Sequence, residues 1–210
     1  MSATGTLKPN DPETKVLLVS RASLAANVNL ANLLTLLRIG LIPVFVMIFI
    51  NPTPARSLVA AVIFAVAAVT DLLDGYVARR TGQITKLGKL LDPIADKLLV
   101  LSGLILLVQF DRVPALVAIL IIAREVAVTG VRAIAATEGV ILAAETIGKW
   151  KMVIQVIAIV LLILEGGLPP LMWLLHYTGT LLLYVALGLA LVSGGQYMVG
   201  FWQRVAIKKL

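Results

Sequence analysis

The stretch TDLLDGYVARRTGQITKLGKLLDPIADK, residues 70–97, holds four of the chain's eleven acidic residues. Long apolar runs flank it on both sides, in a chain of 210 residues that is 60% hydrophobic and only 14% charged. Soluble domains usually carry about 25% charged residues. The stretch therefore predicts a polar hairpin between two apolar helices, and its aspartates need an explanation.

The composition predicts an integral membrane protein. The mean hydropathy is +1.02, and apolar runs of about 20 residues, the length that crosses a bilayer, alternate with short polar or Pro/Gly-rich breaks. We predict an all-α fold of six transmembrane helices, at about 32–50, 57–79, 89–109, 113–135, 147–164 and 172–199. They form one membrane domain over residues 29–210. Residues 1–28 are an N-terminal extension, in which 14–28 predict an amphipathic juxtamembrane helix.

The positive charges predict which side of the membrane each connection faces. With the N-terminus in the cytoplasm, thirteen of the 18 Lys and Arg residues lie on the cytoplasmic side, and only Arg56 and Arg112 lie outside. This bias follows the positive-inside rule. It predicts a multi-pass protein of the cell (inner) membrane with both termini in the cytoplasm. The net charge of +7 then indicates anionic membrane lipids as partners, and nucleic acid is not expected.

The four aspartates predict a metal site. Asp71 and Asp74 are three residues apart on the second predicted helix, and Asp92 and Asp96 are four apart on the third, so each pair shares a helix face. Because the short loop makes these helices antiparallel neighbours, the four carboxylates can converge at the cytoplasmic end, where their repulsion requires a cation. Oxygen ligands without nitrogen or sulfur favour Mg²⁺ or Mn²⁺, and the chain has no cysteine.

Simpler explanations account for single aspartates but not for the set. A carboxylate near a helix end often caps the helix, and Asp96 could be neutralised by Lys89 or Lys97. Neither explanation accounts for four aspartates at matched spacing together with Gly75 and Gly88, where a missing side chain lets a ligand approach the backbone. Ionisable residues within membrane segments usually mark functional sites.

The same stretch resembles the signature of the CDP-alcohol phosphatidyltransferase family. Eight residues match at fixed spacing across 26 positions: Asp71, Asp74, Gly75, Ala78, Arg79, Gly88, Asp92 and Asp96. The resemblance implies a homodimeric six-helix membrane enzyme whose site opens to the cytoplasm. Such an enzyme transfers the phosphatidyl group of CDP-diacylglycerol to an acceptor hydroxyl and releases CMP. The resemblance further implies that Asp71, Asp74 and Asp92 hold two Mg²⁺ or Mn²⁺ ions, and that Asp96 combines metal contact with the role of general base.

The resemblance also implies which residues bind CDP-diacylglycerol. The stretch NLANLLTLLR, residues 29–38, resembles the family's N-terminal nucleotide-side motif and adds two polar side chains to those of the hairpin. For Arg79 the alternative is an interfacial arginine whose stem lies along the membrane. The residues expected to bind CDP-diacylglycerol are Asn32, Thr35, Gly75, Ala78, Arg79, Thr85 and Gly88.

Three further cations predict a phosphate pocket beside the metals. Arg124 and Arg132 are eight residues apart, slightly over two helical turns, so they can share a face, and Lys149 would enter from the next helix. Their stretches, AREVAVTGVR (residues 123–132) and GKWK (148–151), resemble the bacterial phosphatidylglycerophosphate-synthase branch of the family, whose acceptor is sn-glycerol 3-phosphate. The alternative for Arg124 is a local pair with Glu125 or with the aspartates.

Other functions stay open. Within the family, the acceptor could be inositol phosphate, serine or phosphatidylglycerol, although three cations favour a phosphorylated acceptor. Outside it, the carboxylates could line a divalent-metal transporter, and a structural scaffold is the least favoured reading. Transporter sites usually lie near the bilayer midplane on broken helices in repeated halves. Here the carboxylates lie at one end of two predicted helices, and the sequence has no evident repeat.

Overall fold

The computed structural model of the protein describes residues 30–81, 86–137 and 146–208, and within these ranges it leaves out the side chains of 30–32, 71–81, 86–90, 92–93, 146–147, 149 and 204–208. All regular structure in the described ranges is helical. The helices are α1 (Leu30–Phe49), α2 (Pro54–Thr81), α3 (Lys86–Gln109), α4 (Ala115–Thr137), α5 (Thr146–Leu164) and α6 (Met172–Lys208). This confirms the all-α class. The predicted amphipathic helix at 14–28 lies outside the described residues.

Proline and local turn chemistry decide where the helices begin. Pro54 opens α2, because a proline at the first helical position loses no hydrogen bond. The carbonyl of Pro114 accepts hydrogen bonds from the amides of Val117 at 3.0 Å and Ala118 at 3.3 Å. Consequently α4 begins just after Pro114, slightly later than predicted. In the same connection Asp111 adopts a left-handed backbone with φ of 56°, a conformation that a short polar side chain tolerates better than most.

The buried core includes residues of all six helices. Phe45 of α1 is fully buried and packs edge-on against Phe64 of α2, with ring centroids 5.3 Å apart. A Cβ at Gly103 of α3 would lie 2.8 Å from a ring carbon of Phe64. A side chain there would therefore push α3 away from α2. This packing fixes how the two aspartate-bearing helices lie against each other.

The helices differ in how well they suit a membrane. Among the described residues, one segment, Pro169–Gln203, is long and apolar enough to cross a bilayer, and Leu33–Phe49, Pro54–Thr70 and Trp150–Leu164 are shorter apolar segments. Helix α4 carries three charged residues, Arg124, Glu125 and Arg132, within its length. Six helices are thus confirmed in the described part of the chain, whereas the crossing of a membrane by all six stays a prediction.

An ionic cluster joins the connections at the Asp111 end of the bundle. The Nε of Arg112 lies 3.1 Å from Oε1 of Glu165, and Nδ1 of His176 lies 2.8 Å from Oε2 of the same carboxylate. A second guanidinium nitrogen of Arg112 donates to the carbonyls of Leu162 at 2.9 Å and Ile163 at 3.3 Å. Burial lowers the pKa of Arg112, and the Glu165 carboxylate partly offsets this effect. The cluster ties the α3–α4 connection to the end of α5 and the start of α6.

Candidate active site

The predicted metal ligands lie on two consecutive helices. Asp71 and Asp74 fall in the last turns of α2, and Asp92 and Asp96 fall in the first half of α3, with residues 82–85 between the helices outside the description. The helical backbone keeps each pair on one face, as predicted. Only the side chain of Asp96 is described, so the convergence of all four carboxylates stays a prediction. Among the described residues, no group of three or more His, Asp or Glu side chains forms a metal site.

Most predicted contacts to CDP-diacylglycerol also fall outside the description. Nothing is described for Thr85, and for Asn32, Gly75, Ala78, Arg79 and Gly88 the helical backbone alone is described. Thr35 is described, and its side chain is buried with 1% exposure. Burial alone does not test contact with CDP-diacylglycerol, so this role of Thr35 stays a prediction.

A buried arginine links α1 to the aspartate-bearing end of α2. Arg38 is fully buried, and its Nε donates to the carbonyl of Ala67 at 3.2 Å. The hydroxyl of Thr70 donates to the same carbonyl at 2.7 Å. Ala67 lies one helical turn before Asp71. The end of α1 that carries the predicted nucleotide motif is thus attached to α2 just before its aspartates.

A cavity of about 270 Å³ opens between α3, α4, α5 and α6. It brings together the predicted base, Asp96, and two of the three predicted phosphate-binding cations, Arg124 and Arg132. The third, Lys149, has no described side chain. The lining residues are Asp96, Lys97, Val100, Leu101, Arg124, Glu125, Val128, Thr129, Arg132, Gly148, Lys151, Met152, Gln155 and Tyr197.

Arg124 is held by groups on two helices. Its Nε donates to the carbonyl of Ala190 at 2.9 Å, one terminal nitrogen donates to the hydroxyl of Ser193 at 2.6 Å, and the other to Oε1 of Glu125 at 3.0 Å. The local pair with Glu125, which the sequence left open as an alternative, is therefore present. Two of the five guanidinium N–H groups remain beyond these three bonds, so the pairing does not exclude a bound anion.

Lys151 is a cavity cation that the sequence prediction missed. Its ammonium donates to Oε1 of Glu125 and forms a salt bridge with it, and its side chain is 6% exposed. Gly148, Lys151 and Gln155 all line the cavity, at helical spacings of three and four residues that define one face of α5. Residues other than large apolar ones recur at these spacings on an otherwise apolar helix. This pattern could have identified Lys151 from the sequence in addition to Lys149.

Arg132 is positioned by an aromatic side chain of α6. A terminal nitrogen of Arg132 donates to the hydroxyl of Tyr197 at 2.5 Å. The guanidinium carbon also lies 4.7 Å from the centroid of the same ring, within the range of a cation–π interaction. Ser193 and Tyr197, four residues apart on α6, therefore hold the two arginines of α4 on one side of the cavity.

The charged groups leave the cavity positive. In the described lining, four cations, Lys97, Arg124, Arg132 and Lys151, stand against two carboxylates, Asp96 and Glu125. The lining thus carries two net positive charges beside a carboxylate that can accept a proton. Because the walls of a cavity exclude much of the water, such charges act on a bound anion more strongly than they would in solution.

Comparison with known proteins gives the family. The sequence model of the CDP-alcohol phosphatidyltransferase family matches residues 28–201. The chain is 42% identical over 187 residues to a CDP-diacylglycerol–glycerol-3-phosphate 3-phosphatidyltransferase of Bacillus subtilis, covering 83% of this chain and 96% of that protein. It is 37% identical over 169 residues to a protein of the same name from Rickettsia bellii, covering 80% and 93%.

A third relative carries a related name. A probable phosphatidylglycerophosphate synthase of Mycobacterium tuberculosis is 39% identical over 190 residues, covering 89% of this chain and 86% of that protein. The family match spans the aspartate hairpin and nearly all of the described helices. The chain belongs to the CDP-alcohol phosphatidyltransferase family.

Proposed function

We propose that the protein transfers the phosphatidyl group of CDP-diacylglycerol to sn-glycerol 3-phosphate, giving phosphatidylglycerophosphate and CMP. Relatives at 37% to 42% identity are named for this donor and this acceptor. The reaction forms a bond between an acceptor hydroxyl oxygen and the phosphorus of the phosphatidyl group. The bond from that phosphorus to CMP breaks, and CMP leaves with the electron pair.

The observation that carries the proposal is the cavity that joins Asp96 to Arg124, Arg132 and Lys151. A phosphate monoester carries a charge of about −1.5 to −2 at neutral pH, which the two net positive charges of the described lining complement. Arginine suits this role because its planar fork can donate two parallel hydrogen bonds to phosphate. Serine and phosphatidylglycerol offer no phosphate monoester, so this cavity favours a phosphorylated acceptor.

Asp96 is the residue that we assign as the general base. Its carboxylate lines the same cavity as the cations, so a phosphate held there would bring its hydroxyl end near an oxygen that can accept the proton. Holding the two reacting groups together removes much of the entropy cost of their encounter. Lys151 lines the same cavity as Asp96, so the proposed base and a cation of the acceptor pocket share one site.

The donor set fits a hard divalent metal. Asp96 presents an oxygen ligand to the cavity, and the helical backbone carries Asp71, Asp74 and Asp92 at matched spacing on α2 and α3. We propose that these four residues hold two Mg²⁺ or Mn²⁺ ions, which neutralise the diphosphate and the charge that develops on the leaving group. Gly75, Ala78, Arg79 and Gly88 would then border the nucleotide.

We also propose that all six helices span the cell membrane and that the cavity opens toward the cytoplasm. Large apolar side chains point outward on several helices, among them Met47, Val62 and Leu116, each at least 60% exposed. An extended apolar surface of this kind suits contact with lipid. The thirteen cations on the predicted inner side support the orientation. The homodimer is proposed on the family resemblance alone.

Release of CMP by the purified protein tests the proposal. With CDP-diacylglycerol and Mg²⁺ present, sn-glycerol 3-phosphate should start CMP release, whereas myo-inositol 1-phosphate and serine should give little. Removal of divalent ions with a chelator should stop the reaction, and Mg²⁺ or Mn²⁺ should restore it. Release that depends on inositol phosphate would reassign the acceptor. Metal uptake into proteoliposomes without any CMP release would favour the transporter.

A further inference from the structure

One buried polar group of the cavity has no role in the proposed binding of phosphate by Arg124, Arg132 and Lys151, which we call the phosphate grip. Gln155 lies on α5, one helical turn beyond Lys151, and its side chain is only 3% exposed. Its amide oxygen has no hydrogen-bond donor among the residues that the structure describes. A buried acceptor left in this state carries a free-energy cost. Such a cost is commonly tolerated where a ligand supplies the missing partner.

The surroundings of Gln155 indicate the kind of partner. Lysine and arginine are donors only, so the cavity cations can bind phosphate but cannot accept a hydrogen bond from a hydroxyl. Oε1 of Glu125 already accepts from both Lys151 and Arg124. Asp96 is assigned to the attacking hydroxyl. Two other neutral polar side chains line the cavity, but the hydroxyl of Thr129 donates to the carbonyl of Glu125 at 2.7 Å and that of Tyr197 accepts from Arg132. Within the described lining, the amide oxygen of Gln155 is therefore the buried neutral acceptor whose partner a second hydroxyl could supply.

The acceptor of the proposed reaction has such a group. sn-Glycerol 3-phosphate carries two hydroxyls, of which one attacks phosphorus and the other, on the middle carbon, is not consumed. A hydroxyl both donates and accepts, so it can satisfy either end of the amide. We propose that Gln155 is a specificity-determining residue that binds the non-attacking hydroxyl of the acceptor. This inference rests on the proposed function and adds to it a subsite for the polyol part of the substrate.

An acceptor without that hydroxyl tests the inference directly. 1,3-Propanediol monophosphate keeps the phosphate and a primary hydroxyl but lacks the middle hydroxyl. The wild-type protein should prefer sn-glycerol 3-phosphate over this analogue by about ten-fold or more in kcat/KM, because the analogue leaves the amide unpaired. Gln155→Met keeps the shape of the side chain and removes its polar atoms. In this variant the preference should fall to within about two-fold of unity.

Four controls separate this role from others. Gln196→Met, at an exposed position of α6, should keep the wild-type preference. Inhibition by inorganic phosphate should be the same in Gln155→Met and the wild type, because the phosphate grip is intact. The thermal midpoint of Gln155→Met should be equal or higher, since replacing a buried unpaired polar group by an apolar group of similar shape is neutral or stabilising. Gln155→Glu retains acceptor oxygens and should keep the preference, with a higher KM for both phosphorylated acceptors.

The outcomes distinguish this inference from the proposed function. A wild-type protein that releases no CMP with sn-glycerol 3-phosphate would overturn both. An active wild type without preference for the middle hydroxyl, or a Gln155→Met variant that keeps the preference, would overturn the hydroxyl subsite alone. Weaker inhibition of Gln155→Met by inorganic phosphate would place Gln155 in the phosphate grip and would also overturn it.

Discussion

At the residue scale, each described arginine of the cavity and Lys151 has a fixed partner. Arg124 is attached to Ser193, Arg132 to Tyr197, and Lys151 to Glu125. A buried cation without such a partner would be strongly destabilising. The partners also keep these long side chains in place before any substrate arrives, which lowers the entropy cost of binding. Substitutions here should therefore affect acceptor binding more than donor binding.

Asp96→Asn tests the assignment of the general base. Asparagine keeps the size of the side chain and an oxygen that can contact a metal, but it accepts no proton at neutral pH. Turnover should fall by about 10²- to 10⁴-fold, the usual contribution of a general base, while binding of CDP-diacylglycerol largely survives. The measurement is CMP release together with donor binding in the same preparation. Turnover within a few-fold of the wild type would remove Asp96 from this role.

Lys151→Met tests the phosphate grip with the cation that the sequence prediction missed. The variant removes one charged donor, and a charge-assisted hydrogen bond is worth roughly 1.5–3 kcal/mol. The KM for sn-glycerol 3-phosphate should rise by about ten- to a hundred-fold, while the KM for CDP-diacylglycerol changes little. Arg56→Gln, which removes an exposed cation outside the cavity, is the control and should behave as the wild type.

Two results would change this interpretation. Equal increases in both KM values would mean that Lys151 serves the donor or the fold. A large effect of Lys149→Met with none from Lys151→Met would return the third phosphate contact to Lys149, where the sequence pattern had suggested it.

At the scale of the helices, sequence and structure agree where backbone chemistry decides the outcome. The second and fourth helices were predicted to begin at about 57 and 113, and they begin at Pro54 and Ala115, within three residues. The agreement arises because the prolines of these breaks restrict the backbone whatever the tertiary fold. The partners of Arg124 were less predictable. Glu125 is adjacent and was considered, but Ser193 lies 69 positions away on α6. Such a partner depends on how α4 packs against α6, which no local pattern specifies.

The same limit explains why Gln155 was missed. A glutamine in an apolar helix can point to solvent, to lipid or into a cavity, and its helical register alone does not decide among them. It becomes informative only when its burial and its missing partner are known together. Charged residues were easier to predict, because a charge in an apolar segment demands a partner or a function in any fold.

Glu165→Gln tests the ionic cluster that joins the helix connections. Glutamine leaves the partly buried guanidinium of Arg112 without its counter-charge, and removing one partner of a buried ion pair costs about 3–5 kcal/mol. The side chain of Arg112 is 13% exposed, so we expect the lower end of this range. The thermal midpoint of the detergent-solubilised variant should fall clearly below that of the wild type. Asp111→Asn, an exposed neighbour that also tolerates a left-handed backbone, should leave it unchanged.

Two other outcomes of the Glu165→Gln experiment would be informative. If Glu165→Gln and Asp111→Asn melted together with the wild type, the cluster would contribute nothing measurable to stability. If Glu165→Gln lost CMP release without any loss of stability, the connections would influence the cavity from the opposite end of the bundle, which the contacts of Arg112 do not predict.

At the scale of the whole molecule, the distribution of charge indicates which end of the helix bundle faces the cytoplasm. Asp96, Arg132, Gly148 and Tyr197 line a cavity near the end of the bundle where α4 ends and α5 begins. Asp111 and Arg112 lie at the opposite end of α3. Both substrates of the proposed reaction bear negative charge, and the predicted inner side carries thirteen of the 18 cations. We therefore expect the cavity end to face the cytoplasm.

Single cysteines can test this orientation, because the chain has no cysteine of its own. Two variants, Thr53→Cys and Asp111→Cys, place the cysteine in connections of the predicted outer side. Two others, Thr137→Cys and Gln203→Cys, place it at exposed positions toward the predicted inner side. A membrane-impermeant maleimide added to intact spheroplasts should label the first pair and leave the second unlabelled until the membrane is opened. CMP release must be retained in each variant, which shows that the labelled protein is folded. Labelling of Thr137→Cys in intact spheroplasts would place the cavity end outside. It would then contradict both the positive-inside assignment and a reaction that draws a phosphorylated acceptor from the cytoplasm.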